Sequence, residues 1–503
     1  MKSRIQLDGG RQCIIRIMPT ELSSLSRFLR KRYPDREWGT LMSCGVRRTS
    51  WGLAASVSGL LLPKPGELDR SSPLFVARSH YLGRLKETTE RDNLSAVVVH
   101  SHPQGCATCP STLDDEMDLY CASLYGARPY LSLIFSWNAG GDLQFSGRAY
   151  DRGRWMPVVT LLSPGDTLGR WESGIVEQPV ESDDRGEDGE RRNERLFGLI
   201  GQRSARRVAA ARIGIVGCSG TGSPALELAI RAGFKHLVAV DPEREAYSNL
   251  ERMHGSKAED FISGRVPPYK VESMQRMAKE IDPSAEITSI VGNILDDVVL
   301  DQLLRCDVVL NATDTHHSRA FLSHLATHYL VPCFDVGVAM DGERGKVTLQ
   351  NIEITRFWPG DPCAFCRRKI VPNILSWELM ADEERVARQE AAKIAAAEGG
   401  KPDMYWGGRP RQLHTVGYLT TMAGSLAMGY IVGAVTGTFK MPHQRFQFDP
   451  SVERFGFAPY AEESRVAECQ CGKYVGFADA ALHARTVGRP AHWPRAMLLF
   501  PLS

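Results

Sequence analysis

The sequence predicts an α/β protein of two domains: an α/β unit over residues 1–172 and a doubly wound α/β unit over 195–503, joined by a charged linker over 173–194. Three observations predict it. At 503 residues the chain exceeds what one ordinary core organises. Short apolar runs alternate with turn signals in the first part, and strand-like runs alternate with helical segments in the last. Between them "VEQPVESDDRGEDGERRNER" mixes charges of both signs with almost no apolar residue, so it cannot bury enough surface to order itself.

In the first domain "SAVVVH" reads as a buried strand, "DDEMDLYCASLYG" as a helix, and "YLSLIFSW" and "DLQFSGRAY" as strands around an Ala-Gly-Gly turn. In the second, "RIGIVG", "HLVAV", "EITSI" and "CDVVLNA" are strands separated by helices, the pattern of a parallel sheet with crossover connections. "EERVARQEAAKIAAAEGG" is an alanine-rich surface helix. Residues 416–439 carry no charge and are long enough to cross a bilayer. Thr420, Thr421, Ser425 and several glycines dilute the run, so it is read as a buried helix at a dimer seam, with a membrane span as the competing reading.

An apolar fraction of 43%, 24% charge and a net charge of +2 describe a soluble globular protein, with nothing that argues for nucleic acid or a membrane surface as partner. The N-terminus lacks the apolar stretch of a signal peptide, which predicts a cytoplasmic location. In that setting the twelve cysteines are thiols or metal ligands rather than a disulfide framework.

"HSHPQGCATCPSTLDD", residues 100–115, concentrates metal ligands. A strand end delivers His100, the Pro103 turn keeps His102 close, and Asp114 returns from the start of the next helix. Three protein ligands leave a fourth zinc position for water, the catalytic rather than the structural arrangement. Such a metal activates water and polarises a carbonyl. Glu37, in "REWGTLMSCG", is the candidate base, and Ser111 the candidate hydrogen-bond donor to an oxyanion. Cys106 and Cys109 are rival ligands, but a thiolate site needs a second pair, so they are read as loop residues on its rim.

Glu37, His100, His102, Pro103, Ser111 and Asp114 resemble the JAMM/MPN-type zinc isopeptidases, whose pattern is a distant Glu, then His-x-His-Pro, a short loop and Ser-x-x-Asp. The loop here is about a residue longer than the commonest form, which makes Asp115 a substitute candidate for Asp114. The resemblance spans roughly the first 150 residues and implies cleavage after the C-terminal glycine of a ubiquitin-like protein.

"RIGIVGCSGTGS" is a buried strand, a glycine-rich turn and a helix start, a Rossmann-like arrangement. Gly217, Gly220 and Gly222 let the backbone approach a phosphate, whose charge the helix N-terminus favours. Asp241 ends the next strand at the distance expected of a ribose-binding carboxylate. Asn249, Arg252, Lys270 and Asp314 have no use in hydride transfer, whereas adenylation needs cations on a triphosphate and a carboxylate for Mg²⁺. These residues resemble the ThiF/MoeB/HesA ubiquitin-activating-like superfamily over about 190–475. By that resemblance Asp241 binds ribose, Asn249, Arg252 and Lys270 the phosphates of ATP, and Asp314 magnesium. Arg192 or Arg195 would reach a nucleotide across a homodimer. Ser219 replaces the usual second glycine, and Met253 stands where glutamine is common.

Cys363 and Cys366 in "PGDPCAFC", with Cys469 and Cys471 in "ECQCGK", can close a structural zinc site. The second pair is Cys-x-Cys, tighter than the usual spacing. The segment of about 367–415, where ubiquitin-activating enzymes often carry an acyl-accepting cysteine, has none. Cys218, Cys306 and Cys333 lie on or beside strands, where a buried thiol is the default.

Together the resemblances imply one polypeptide of a bacterial ubiquitin-like pathway. It would be both a zinc (iso)peptidase and an ATP-dependent adenylyltransferase, with a ubiquitin-like or sulfur-carrier protein ending in glycine, and a conjugating enzyme, as partners. Sulfur-carrier activation in cofactor or cysteine biosynthesis is the alternative, and a non-catalytic scaffold the third reading.

Overall fold

The computed structural model describes residues 5–106, 108–174, 192–397, 415–450, 458–459 and 463–481. Most of the charged linker expected over 173–194 lies outside the described residues.

The first domain runs β1 (Gln12–Arg16), α1 (Pro19–Leu29), β2 (Gly39–Thr49), β3 (Gly52–Leu61), α2 (Ser79–Asp92), β4 (Ser95–Ser101), α3 (Thr112–Tyr125), β5 (Tyr130–Trp137), β6 (Leu143–Asp151), β7 (Arg154–Pro164) and β8 (Leu168–Glu172). Its sheet is ordered β1-β3-β2-β4-β5-β6-β7-β8, and β1 also pairs with β7, so the sheet curls back on itself. Strand β4 is buried throughout, as a run of β-branched residues flanked on both sides by strands should be. It lies antiparallel to β2, with Gly39 opposite His100. That register brings the start of β2 beside the histidines.

The second domain opens with α4 (Glu194–Ile200) and α5 (Gln202–Ala210), then β9 (Arg212–Val216), α6 (Gly222–Ala232), β10 (His236–Val240), α7 (Lys270–Ile281), β11 (Glu286–Ile290), α8 (Asp297–Leu303), β12 (Val308–Asn311) and α9 (His316–His328). It continues through β13 (Cys333–Glu343), β14 (Lys346–Phe357), α10 (Pro372–Glu378), α11 (Asp382–Ala397), α12 (Gly417–Thr436), β15 (Arg445–Phe448) and β16 (Ala458–Pro459). The sheet order is β11-β10-β9-β12-β13-β14-β15-β16. Strands β9 to β13 pair in parallel, and β14 turns back antiparallel to β13. The order reverses between β9 and β12, and in such sheets ligands bind at the carboxyl ends of the strands at that point.

Helix α12 is the uncharged run of 416–439. It has the length and apolarity of a membrane span, yet 67% of its most apolar window is buried in the protein. Leu419, Ala423, Ala427 and Ile431 pack into the core of the second domain.

The domains are bolted together by arginines. Buried Arg16 donates from Nη2 to the carbonyls of Leu304 (2.8 Å) and Cys306 (2.9 Å). Arg47 pairs with Asp301 and Asp297, each at 2.9 Å, and Arg170 holds both oxygens of Asp307. Ser56 donates to the Tyr329 carbonyl, and Trp358 to that of Gly165. Gly45 N–H donates to Gly476 at 3.0 Å, so the segment after the second cysteine pair returns to the first domain. Asp307 immediately precedes β12, and Tyr329 lies four residues before the start of β13. The first domain therefore docks at the amino ends of these strands, away from their ligand-binding ends.

Candidate functional site

The metal ligands expected from the sequence are brought together. His100 and His102 lie at the end of β4 and just beyond it, each 5% exposed. Asp114 Oδ1 stands 3.0 Å from His100 Nε2, and Asp114 Oδ2 stands 3.5 Å from His102 Nε2. A tetrahedral ion with bonds of about 2.0–2.1 Å separates its ligand atoms by about 3.4 Å, so zinc fits. His100 Nε2 is buried, and the Asp114 carboxylate stands beside it. Glu37 offers a carboxylate within 4.8 Å of both imidazoles. That is close enough to hold a water against the site.

Local structure aims Asp114. Ser111 caps α3: its Oγ accepts from Asp114 N–H (3.3 Å), and Asp114 Oδ2 accepts from Ser111 N–H (2.6 Å). Burial raises the Asp114 carboxyl, but its contacts with His100, His102 and Ser111 outweigh this and hold it well below the ordinary range. The hydroxyl oxygen of Ser111 is thus committed to the cap, and only its O–H remains to serve an oxyanion. The Asp115 alternative is excluded: Asp115 is fully buried and paired with Arg148 at 2.5 Å. Cys106 and Cys109 are exposed loop residues and belong to neither metal-ligand group among the described residues.

Sequence reasoning missed Phe75. Its backbone N–H donates to Glu37 Oε2 at 3.0 Å, and its ring lies nearly parallel to that of His100. No spacing rule ties a residue 38 positions downstream to Glu37; only the folded segment does.

The nucleotide cradle forms at the switch point. Gly217 leaves β9 at φ +89°, a conformation that favours glycine, and a Cβ on Gly222 would stand 1.8 Å from the Gly217 carbonyl oxygen. Gly220 lies beneath Arg252 and Thr420. Buried Asp241 accepts from Cys218 N–H at 2.8 Å, and Lys270 Nζ lies 3.9 Å from its other oxygen. Burial raises the Asp241 carboxyl, and Lys270 counters the effect. Lys270 also pairs with Glu243, from which a phosphate would have to draw it. Asn249 is buried in the turn before Arg252 and accepts from Ala246 N–H at 2.8 Å. Asp314, exposed, follows β12, where Ala312 and Thr313 pack on Gly217. Asp241, Lys270 and Arg252 thus meet at the glycine turn, with Asn249 three residues before Arg252 and Asp314 next to Thr313, which packs on Gly217.

Arg192 is tied by Nη2 to Asp282 at 2.8 Å, beside Lys235 at the amino end of β10. Within this chain that contact lies at the opposite end of the sheet from the glycine turn. Met253, standing where glutamine is common, is 4% exposed and belongs to the hydrophobic core, so it packs rather than reaches a ligand.

Cys363, Cys366, Cys469 and Cys471 form a third cluster, with sulfur separations of 3.7, 3.5 and 3.7 Å for 363–366, 363–469 and 366–471. Four thiolates at about 2.3 Å from zinc sit about 3.8 Å apart, so the donor set fits a closed structural ion. Hydrogen bonding with Cys469 pushes the Cys363 thiol up, and a bound cation would relieve that resistance to ionisation. Cys471→Ser is expected to remove one zinc equivalent and destabilise the second domain by about 4 kcal/mol or more, the range in which metal loss falls. Metal analysis with thermal unfolding checks this, and a variant that melts like wild type would rule out a structural ion. The thiols of Cys218, Cys306 and Cys333 are fully buried, and burial pushes all three up, Cys306 to about 12. None is placed to act as an acyl acceptor.

Comparison with known proteins bears on the second domain. The ThiF family profile matches residues 191–471. The adenylyltransferase and sulfurtransferase UBA4 of Yarrowia lipolytica is 27% identical over 176 residues, 35% of this chain and 40% of that protein. The sulfur carrier protein ThiS adenylyltransferase of Bacillus subtilis is 23% identical over 137 residues, 27% of this chain and 40% of its own. Among solved structures, E. coli MccB with ATP is 15% identical with a TM-score of 0.41, covering 56% of this chain and 74% of that one. The aligned part spans well under half the length of these curated relatives. The family profile, in contrast, takes in more than half of this chain, from the helices before β9 to Cys471. The chain belongs to the ThiF family.

Proposed function

We propose that the chain is a bifunctional enzyme of a bacterial ubiquitin-like pathway, adenylating the C-terminal carboxylate of a small partner protein and cleaving bonds formed by that same carboxylate. Adenylation rests on the convergence of Asp241, Arg252, Lys270 and Asp314 around the glycine turn, and on relatives named as adenylyltransferases. The partner's carboxylate oxygen attacks the α-phosphorus of ATP, the bond to the leaving phosphate breaks, and acyl adenylate and pyrophosphate form. Asn249, Arg252 and Lys270 offset the phosphate charge. Asp314 would hold the Mg²⁺ that neutralises the departing pyrophosphate. With Cys218, Cys306 and Cys333 buried, the adenylate passes directly to an external nucleophile. Arg192 would serve the partner protomer's nucleotide in a homodimer.

The peptidase half, a JAMM/MPN-type domain in this reading, rests on His100, His102 and Asp114 meeting at zinc-ligand distances beside Glu37. Bound zinc would supply Lewis acidity to a water and to the scissile carbonyl. Glu37 takes a proton from the attacking water and returns it to the departing amine, while Ser111 O–H donates to the carbonyl oxygen. The substrate is an amide or isopeptide following the partner's terminal glycine.

Sulfur-carrier activation is the second reading, favoured by the sulfurtransferase and sulfur-carrier names of the relatives. It shares the adenylation step and differs in the acceptor, a sulfur donor instead of an amine. ATP–pyrophosphate exchange with glycine-terminated small proteins of the source genome tests the common step. Exchange by none of them would sink the adenylation reading.

A further inference from the structure

The segment before α2 is a built strap. Leu68 bridges Ala77, Asp69 N–H donates to the Val76 carbonyl, and Arg78 N–H to that of Glu67, both at 3.0 Å. Buried Glu67 pins the strap to α2 through Arg84, at 2.6 and 3.0 Å. Its tip grips Glu37 twice: Glu37 N–H donates to the Pro73 carbonyl, and Phe75 N–H to Glu37 Oε2, both at 3.0 Å. The Phe75 ring, 7% exposed, lies nearly parallel to His100 and offset from it, centroids 6.0 Å apart and planes 12° from parallel. It can lie there because residue 39 is glycine: a Cβ would stand 2.5 Å from the ring.

We propose that Phe75 is a positioning residue of the metal centre, its ring fixing the plane of His100 and its backbone N–H fixing the carboxylate of Glu37. The inference rests on the zinc-peptidase reading. A ligand imidazole turned out of plane loses overlap with the ion, and groups that orient ligands are worth about 10–100-fold in metal affinity. The main-chain N–H leaves the second carboxylate oxygen of Glu37 as the one available to a water. Phe75 also belongs to the domain core, so the test separates packing from positioning.

The probe is Co²⁺ added to the full chain after metal removal, with His102→Ala as the blank that subtracts the cysteine cluster. Wild type is expected to give a His102-dependent visible absorption. Phe75→Ala and Gly39→Ala, the latter displacing the ring, are each expected to weaken that binding by about tenfold or more. Phe75→Leu retains apolar bulk without a flat face, and is expected to melt like wild type yet bind cobalt weakly. Cobalt affinity unchanged in Gly39→Ala, or restored by leucine, would overturn the inference even if Phe75→Ala failed to fold. Absence of any His102-dependent signal in wild type would overturn the metal reading and this inference with it.

Discussion

Replacing Asp314 by alanine is expected to lower ATP–pyrophosphate exchange by about 10²–10³-fold, the several kcal/mol that a lost metal contact costs at a transition state. The melting temperature should barely move. Asp314 is exposed just past β12, and substitutions at such surface positions usually change stability by less than about 0.5 kcal/mol. Loss of Asp241 would be harder to interpret, because its carboxylate also anchors the glycine turn through Cys218 N–H. The two measurements are exchange rate and thermal unfolding, made on the same preparation. Exchange that persisted within a few-fold of wild type would remove Asp314 from the chemistry and leave Mg²⁺ without its proposed ligand.

The second large effect concerns Glu37. Glu37→Gln keeps the side-chain oxygen that accepts from Phe75 N–H but removes the base, so peptidase turnover is expected to fall by about 10²–10⁴-fold with the metal retained. His102→Ala should instead lose the metal equivalent outright, because two ligands hold zinc far less well than three. The variants thus separate proton transfer from metal binding. Equal metal content and equal activity in Glu37→Gln and wild type would assign the base elsewhere; zinc retained by His102→Ala would refute the ligand set.

How much of this was legible in the sequence follows from how local each feature is. His100, His102 and Asp114 sit within one strand-loop-helix unit, and the glycine turn within one strand-turn-helix unit, so short-range spacing carries both. The choice between Asp114 and Asp115 was not legible. Adjacent helix positions point about 100° apart, and Arg148 on β6 takes Asp115 into the core. Arg192 is tied to Asp282, about 90 residues downstream, a contact that its place before β9 does not signal. The closure of the first sheet by β1 on β7 and the buried arginines that join the domains are likewise contacts between distant segments. Composition registers such residues only as charge. Phe75 belongs to the same class: a strap residue whose role exists only once Glu67 and Arg84 have pinned the strap down.

The central claim is that one chain performs two chemistries on one carboxylate. The most direct measurement takes a glycine-terminated ubiquitin-like protein bearing a short C-terminal extension and incubates it with the zinc-loaded chain, Mg²⁺ and hydroxylamine. Intact mass is followed with and without ATP. The account predicts trimming to the glycine in both reactions and, with ATP alone, conversion of the trimmed protein to its hydroxamate as hydroxylamine displaces AMP. Glu37→Gln should leave the extension intact and yield no hydroxamate, whereas Asp314→Ala should trim and stop. A metal-loaded wild-type chain that left the extended protein untouched, or that trimmed it without ever forming hydroxamate, would contradict the account.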